Sequence, residues 1–429
     1  MFNKIIKILI VLMIFSSAGL SQNRWIKKTV PTHNNLRMIS YADSLKVWVA
    51  GDSGTVLHTT DSGNTWTSQN TGIFENIHQI FFLNERLGWG LAWMVTKNKA
   101  VYGTRIIETT NGGLNWSNHI FSSENTFINS IIFLDSLQGW MGGYPGGLMK
   151  TTNGGINWNS VTIDSSIVGG FPVKSISFYD NMIGYACGGF MDLAGVIWKT
   201  TNFGVNWQAI AVAPEPLVRI QYINSTNVIF VGGDFEYGPG IVRTRDGGNS
   251  WSYKTMQLFG IPTSIAMRAG YEVWVPMGFI PMFVYSVDTL NSFTEISTPD
   301  SSYIFDIVFT NSRIGFCIGD SGALYKFNPD ITFVNNNNLQ IPADYELFQN
   351  YPNPFNPATK IKYQISKPGR VLIIVYDALG RELGILTDKY RQPGIYEVEW
   401  NASKFSSGVY FFKISVNDFY ATKSMMLIK

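Results

Sequence analysis

The chain has 429 residues, 14% of them charged and 14% aromatic, with 41 glycines and a net charge of +2. This length exceeds one ordinary compact domain, and balanced charge without a basic run excludes the cationic face that nucleic acid needs. Aromatics and glycines in this proportion favour strands and tight turns over charged helices.

The first 21 residues predict a secretory signal peptide. Lys4 and Lys7 supply a positive start, Ile5 to Phe15 an apolar core, and small residues follow from Ser16 to Ser21. The apolar run is shorter than the ~20 residues of a membrane span. Cleavage is expected near Ser21/Gln22, and without a cysteine there a lipid anchor is not expected.

From residue 22 to 327 one phrase recurs. It reads "TTDSGNTW" at 59–66, "TTNGGLNW" at 109–116, "TTNGGINW" at 151–158, "TTNFGVNW" at 200–207 and "TRDGGNSW" at 244–251, with a decayed copy, "SVDTLNSF", at 286–293. A period of roughly 40–50 residues in a strand-rich chain predicts a propeller of four-stranded blades. First strands begin near Leu36, His78, Asn129, Lys174, Val218, Thr263 and Phe305. The fold class expected is therefore all-β, a seven-bladed β-propeller. The last repeat stops at "ALYKF" (323–327) without a phrase, while "RWIKKTV" (24–30) is a spare strand with Trp25 where the phrase would place its Trp. Pairing that strand into the last blade would close the ring and remove its open edges.

Within the phrase, Asp61, Asn111, Asn153, Asn202 and Asp246 are expected to accept hydrogen bonds from backbone N–H groups two or three residues on, closing a turn. Gly63, Gly113, Gly155, Gly204 and Gly248 suit positive φ. Trp66, Trp116, Trp158, Trp207 and Trp251 should bury about 150–250 Å² each between blades. Three copies carry Asn in place of Asp, which a catalytic acid would not tolerate. The phrase resembles the Asp-box, or BNR, repeat of sialidases. Its arrangement over residues 24–327 is similar to the photosystem II assembly and stability factor family of propellers. The resemblance implies architecture rather than activity, because Asp-boxes occur in sialidases, glucan hydrolases, sorting receptors and assembly factors alike.

Residues 328–344 are polar, include an Asn run and read as a linker. Residues 345–429 alternate apolar positions with Gly and Asn turns, predicting a small Ig-like β-sandwich of six or seven strands. Tyr351-Pro352-Asn353-Pro354, "VYDALGREL", "SSGVYFFKI" and a last strand from Lys423 are similar to the C-terminal sorting domain of type IX secretion substrates. The "YPNPFNP" opening also looks like the Ig-like domain of flagellar hook-capping proteins. The sorting resemblance implies export by the type IX machinery acting on residues 345–429, association with the outer membrane, removal of the tail, and a propeller attached to the surface or released.

Chemistry is sparse. The four histidines (His33, His58, His78, His119) occupy unrelated repeat positions, so a zinc site is not expected and no metal ligands are assigned, with metal binding by the loops left open. No nucleotide or dinucleotide fingerprint appears, and no cofactor is expected. Cys187 and Cys317 sit in apolar strands and read as buried free thiols. Asp52, Asp234 and Asp320 end second strands and read as turn residues, although a glycan hydrolase would draw its carboxylates from such a set. A sialidase-like site would recruit Arg37, Arg219 and Arg243.

The candidate ligand site is positional. Loops between second and third strands carry Trp93, Tyr102, Tyr144, Phe190, Asp234, Phe235 and Tyr237 to one face, where exposed aromatics suit a sugar or a peptide. Aligning the first strands stacks Arg37, Gln79, Ser130, Ser175, Arg219, Ser264 and Asp306 as a polar channel mouth. The expectation is a non-enzymatic surface propeller that binds a protein or glycan. The alternatives are a sialidase-like or glucanase-like hydrolase using channel-mouth carboxylates, and a purely structural surface protein. A hydrolase predicts two close acids, one with a raised pKa. A binder predicts aromatics without such a pair.

Overall fold

The computed structural model describes residues 24–95, 101–121, 125–145, 147–164, 167–330, 344–391 and 394–429. The expected signal peptide, nearly all of the linker, residues 96–100 of the second repeat's loop and Gly146 of the third repeat's loop lie outside the described residues. The chain divides into two compact units, Met1–Phe333 and Val334–Lys429.

The first unit contains seven sheets. Consecutive strands of each sheet pair antiparallel, as expected of short strands joined by tight turns, and sheets four and seven each gain a further strand. Sheet one runs through Leu36–Tyr41, Val47–Gly51, Val56–Thr59 and Thr67–Gln69. Sheets two to five open with Ile77–Phe82, Phe127–Phe133, Val173–Phe178 and Leu217–Tyr222. Sheet six opens with Ala266–Arg268, three residues beyond the expected Thr263. Sheet seven opens with Ile304–Phe309. Its fourth strand is Trp25–Lys27, which pairs antiparallel with Leu324–Phe327, Trp25 opposite Phe327. Sheet four has a fifth strand that the repeat pattern does not show, Thr162–Asp164, parallel to Asn206–Ala213.

Trp25 is fixed by packing as well as pairing. It is buried, meets Trp274 edge-on with centroids 5.6 Å apart, and lies 5.2 Å from Phe327. The preceding Arg24 is buried and reaches Glu272 at 3.5 Å. Neighbouring sheets share cores: Trp48 and Ala50 of sheet one pack with Ile77, Ile80 and Phe82 of sheet two, while Val49 and Leu57 pack with Phe316 and Ile318 of sheet seven.

The phrase forms the turn between third and fourth strands, with chemistry slightly different from that expected. Its Asp or Asn reaches three and four residues on, not two or three. Asp61 Oδ1 accepts from the Asn64 and Thr65 N–H groups, both at 2.9 Å, and Asn111 Oδ1 accepts from Asn115 N–H at 3.0 Å. Two successive left-handed residues lengthen the loop: Ser62 at φ 59° and Gly63 at φ 76° in the first copy. The leading threonine, which the sequence reading passed over, is the buried keystone. Thr59 donates to Asp61 and accepts from Gly63 N–H at 2.9 Å. Thr109, Thr151, Thr200 and Thr244 repeat both bonds. Each phrase Trp packs into the interface with the preceding sheet, as Trp66 does on Phe316 and Trp207 in the cluster with Trp140.

The second unit holds two sheets, one of three strands (Glu346–Leu347, Ala358–Ile365, Gly394–Asn401) and one of four (Gly369–Tyr376, Glu382–Arg391, Gly408–Val416, Phe419–Leu427). Alternate residues of both enter one core that includes Ile361, Tyr363, Ile373, Phe412 and Ile414.

Candidate functional site

Six of the seven first strands carry a bulge after their first or second residue. The register slips between Leu36 and Met38, Ile77 and Gln79, Ile128 and Ser130, Val173 and Ser175, Leu217 and Arg219, and Ile304 and Asp306. A bulge sets two residues opposite one and re-aims side chains. Here the residues caught in the slips, from Arg37 and Met38 round to Phe305, border one open cavity of about 1170 Å³ where the first strands converge; Asp306 is buried and does not border it. The expected polar ring therefore becomes two tiers. Arg37 is one step out of the ring assigned to it: it stands with His78, Asn129, Lys174, Val218 and Phe305, and Met38 takes its place beside Gln79, Ser130, Ser175, Arg219 and Asp306.

Much of the second tier stitches sheets together. Gln79 Oε1 accepts from Ile131 N–H at 3.2 Å, Ser130 Oγ from Ile176 N–H at 3.1 Å, and Asp306 Oδ2 from Ile39 N–H at 2.8 Å. Ser264 Oγ donates to Asp306 at 2.6 Å. All four side chains are buried, and burial pushes the Asp306 carboxyl above its ordinary pKa.

The upper tier and Arg219 are different. Arg37 forms a two-pronged ion pair with Asp52, its second bond 3.0 Å long. Arg219 donates to its neighbour Val218 O at 3.1 Å and to the Met38 sulfur at 3.4 Å, with no carboxylate in ion-pair range among the described residues. The Lys174 side chain borders the same cavity and makes no hydrogen bond or ion pair among the described residues. Burial pushes its ammonium below the ordinary lysine value, and the Arg219 charge adds to that. His78 is held neutral: burial lowers its pKa to about 4, and Nε2 faces Ile128 O at 2.9 Å. That carbonyl makes Nε2 the protonated nitrogen.

The face aromatics fall into groups. Tyr144 and Phe190 meet edge-on at 6.1 Å, with Phe171 beyond. Phe235 packs on Phe259 at 5.7 Å and Phe279 at 5.5 Å. All but Phe171 are exposed, as are Tyr102 and Tyr237. Trp93 is not a free platform: its indole N–H donates to Ile128 O at 3.1 Å and its ring lies 4.6 Å from His78. Phe259 and Phe279 were missed: Phe259 lies outside the loops between second and third strands, and Phe279 stands in such a loop between Glu272–Pro276 and Met282–Ser286 but was not singled out.

The three acids that end second strands are held locally. Asp52 takes Arg37, Asp234 accepts from Glu236 and Tyr237 N–H, and Asp320 from Tyr303 N–H at 2.8 Å. Arg243 binds Asn227 and Thr289 at the outer turns and does not border the cavity with Arg37 and Arg219. A different acidic group does form: carboxylate oxygens of Asp192, Asp234 and Glu236 lie within 4.8 Å of one another. Buried Glu215 accepts from Asp192 N–H at 3.3 Å, and burial, then these neighbouring charges, raise its pKa. The chemistry of that trio suits a hard cation. Its signal was visible in the acids of "GGFMDLAG" and "GGDFEYGPG". Cys187 and Cys317 are buried free thiols, and burial raises Cys187 to about 12.

Two family models match. The description "photosynthesis system II assembly factor YCF48" fits residues 11–94 and 92–228, and "secretion system C-terminal sorting domain" fits residues 349–429. Among solved structures, the first unit is similar to YCF48 bound to a D1 peptide, at 18% identity and TM-score 0.57, over 73% of this chain and 100% of that one. YCF48 from Cyanidioschyzon merolae aligns at 19% identity and TM-score 0.57, over 72% and 100%. The GH74 xyloglucanase from Xanthomonas campestris aligns at 9% identity and TM-score 0.56, over 79% of this chain and 59% of that one. No curated protein matches the chain. These likenesses establish a propeller fold. The tail directs secretion through the type IX system to the cell surface or the extracellular space.

Proposed function

The chain belongs to the photosynthesis system II assembly factor YCF48 family, and on that premise we propose that it is a binding module rather than an enzyme. Its seven sheets are read as seven blades closed by the Trp25 strand, and its tail as an Ig-like sandwich that hands the chain to the secretion machinery. Secretion by the type IX route supports a partner outside the cell, and on this reading the family's photosynthetic role does not transfer. The partner is a protein or a glycan, held where the loop aromatics border the central cavity.

The observation that carries this reading is the exposed Phe235–Phe259–Phe279 group beside an open cavity that Phe279 itself borders. Exposed aromatics anchor interfaces by burying large area at low entropic cost. The structural neighbour that holds a D1 peptide makes a peptide the first partner class to test. The full mature chain would be applied to peptide and glycan arrays with turnover followed on the same panels. Binding that Phe235→Ala and Phe279→Ala weaken, without turnover, supports the reading.

The hydrolase reading retains one supporting observation, the close acids around Glu215. Their oxygens lie closer together than the ~5–9 Å between carboxyl groups of glycosidase pairs. Turnover lost in Glu215→Gln would establish that reading and sink ours.

A further inference from the structure

The residues around the central cavity include Arg37, His78, Lys174 and Arg219, and none is an aspartate or glutamate. Composition does not explain this, because 32 basic and 30 acidic residues nearly balance over the chain. Asp52 offsets Arg37, and His78 is neutral. Lys174 and Arg219 remain, two partly buried cations without a carboxylate in ion-pair range among the described residues; buried Asp306 feels the Arg219 charge, but its oxygens are engaged by Ser264 and the Ile39 N–H. Charges withdrawn from water are costly unless paired, and the five N–H groups of Arg219 are not exhausted by one backbone oxygen and one thioether. The walls around them are largely apolar, with Met38, Val218, Ile261, Phe279 and Phe305 among them.

We propose that this cavity receives a carboxylate carried on an extended peptide, with Lys174 and Arg219 as its paired cations and the apolar wall and Phe235–Phe279 rim as the seat of the flanking side chains. The proposal rests on the binding reading above and names its ligand. A carboxylate fits two cations from two different strands, and a guanidinium can hold it through two parallel bonds. A peptide is favoured over an acidic sugar because Trp93, the indole that borders the cavity, is engaged through its N–H and packed against His78, so the cavity wall offers no free indole, while the rim phenylalanines suit apolar side chains. The carboxylate is either the α-carboxylate of a chain end or a Glu or Asp side chain.

The test uses the full mature chain and a library of fluorescein-labelled apolar hexapeptides. Each is made as the free acid, as the C-terminal amide, and as the amide with one internal Glu or its Gln twin. Fluorescence anisotropy at two salt concentrations gives the affinities. Carboxylate-bearing peptides should bind about tenfold more tightly than their uncharged twins, the worth of one charge-assisted hydrogen bond. Free acids winning assigns a chain end, and Glu peptides winning assigns a side chain. Lys174→Met and Arg219→Met should each erase that advantage, with Lys174→Arg restoring it in part and thermal melting confirming the fold of each variant. Equal binding of acid and amide overturns the proposal and leaves the binding reading standing, provided that Phe235→Ala still weakens it. Binding only of uronate- or sialate-bearing oligosaccharides overturns the peptide assignment. Turnover of glycans without binding of any peptide overturns both readings.

Discussion

The indole N–H of Trp48, on the second strand of sheet one, donates to the carbonyl oxygen of Gly112 in the phrase of sheet two at 3.1 Å. Trp140 does the same to Gly204 between sheets three and four, at 3.4 Å. The recurring phrase thus closes a turn and gives the preceding sheet's aromatic a seat. Gly204 shows how tight that seat is: it stands at φ +60°, and a Cβ there would lie 2.2 Å from the Trp140 nitrogen. Gly204→Ala should cost about 2–4 kcal/mol, adding a left-handed penalty to an overpacked contact. Equilibrium unfolding in urea checks this. Ala at Gly72, whose Cβ would meet nothing within 4 Å, is the control that carries only the backbone penalty.

Closure gives a second prediction. Trp25 fills a pocket between sheets six and seven, against Trp274, Phe283 and Phe327. Trp25→Ala should destabilise the first unit by about 3–5 kcal/mol, as large-to-small core changes do. It should also free the Leu324–Phe327 strand. Limited proteolysis should then cut first in residues 320–330. Cleavage elsewhere with unchanged stability would argue against the strap.

What the sequence made legible was whatever repeats by identity. Trp66, Trp116, Trp158, Trp207 and Trp251 fix the period because each fills the same inter-sheet gap, and the spare Trp25 located the closing strand because its gap needs the same filling. The bulges left no such mark. A bulge shifts pairing without changing residue type, so the two channel tiers appeared only in three dimensions, where Arg37 stands level with His78 rather than Gln79. The hydroxyl keystones were present in every copy, threonine in five and Ser286 in the decayed one, yet hydroxyls that bond their own turn look like ordinary turn residues. Thr162–Asp164 was unreadable because its pairing is parallel and distant. The face aromatics were found where their loops are long, but Phe259 joins Phe235 from outside the loops between second and third strands.

Acid sensitivity should trace to the phrase. Asp61 accepts backbone and hydroxyl hydrogen bonds from Thr65, one from Thr59 and one from Asn64, and these hold its pKa well below the ordinary carboxylate range. Asp246 is held down in the same way, chiefly by Ser250. A carboxyl whose folded pKa lies below its unfolded value stabilises the fold above that unfolded value. The contribution is lost as pH falls from about 4 toward the depressed folded pKa. The wild type should therefore lose stability below pH 4, and the double variant Asp61→Asn, Asp246→Asn should lose less over the same interval. Asn111, Asn153 and Asn202 already show that Asn is tolerated in the turn. Melting temperatures at pH 3 and pH 7 give the comparison, and parallel losses in the two proteins would refute the assignment.

Glu215 gives the opposite sign. It is buried beside Asp192, Asp234 and Glu236, and its pKa is raised by burial first and by those charges next. A carboxyl whose folded pKa exceeds its unfolded value favours folding only where it is protonated, and it opposes folding once pH rises past the unfolded value near 4. Glu215→Gln keeps an oxygen to accept the Asp192 N–H and removes the charge. The variant should be more stable than the wild type at pH 7, with the gain shrinking to nothing as pH falls to 4. A wild type that is the more stable at pH 7 would show instead that the carboxylate is needed, as it would be if it joined the Asp192, Asp234 and Glu236 trio around a cation. Millimolar calcium should then raise the melting temperature of the wild type and leave Glu215→Gln unmoved.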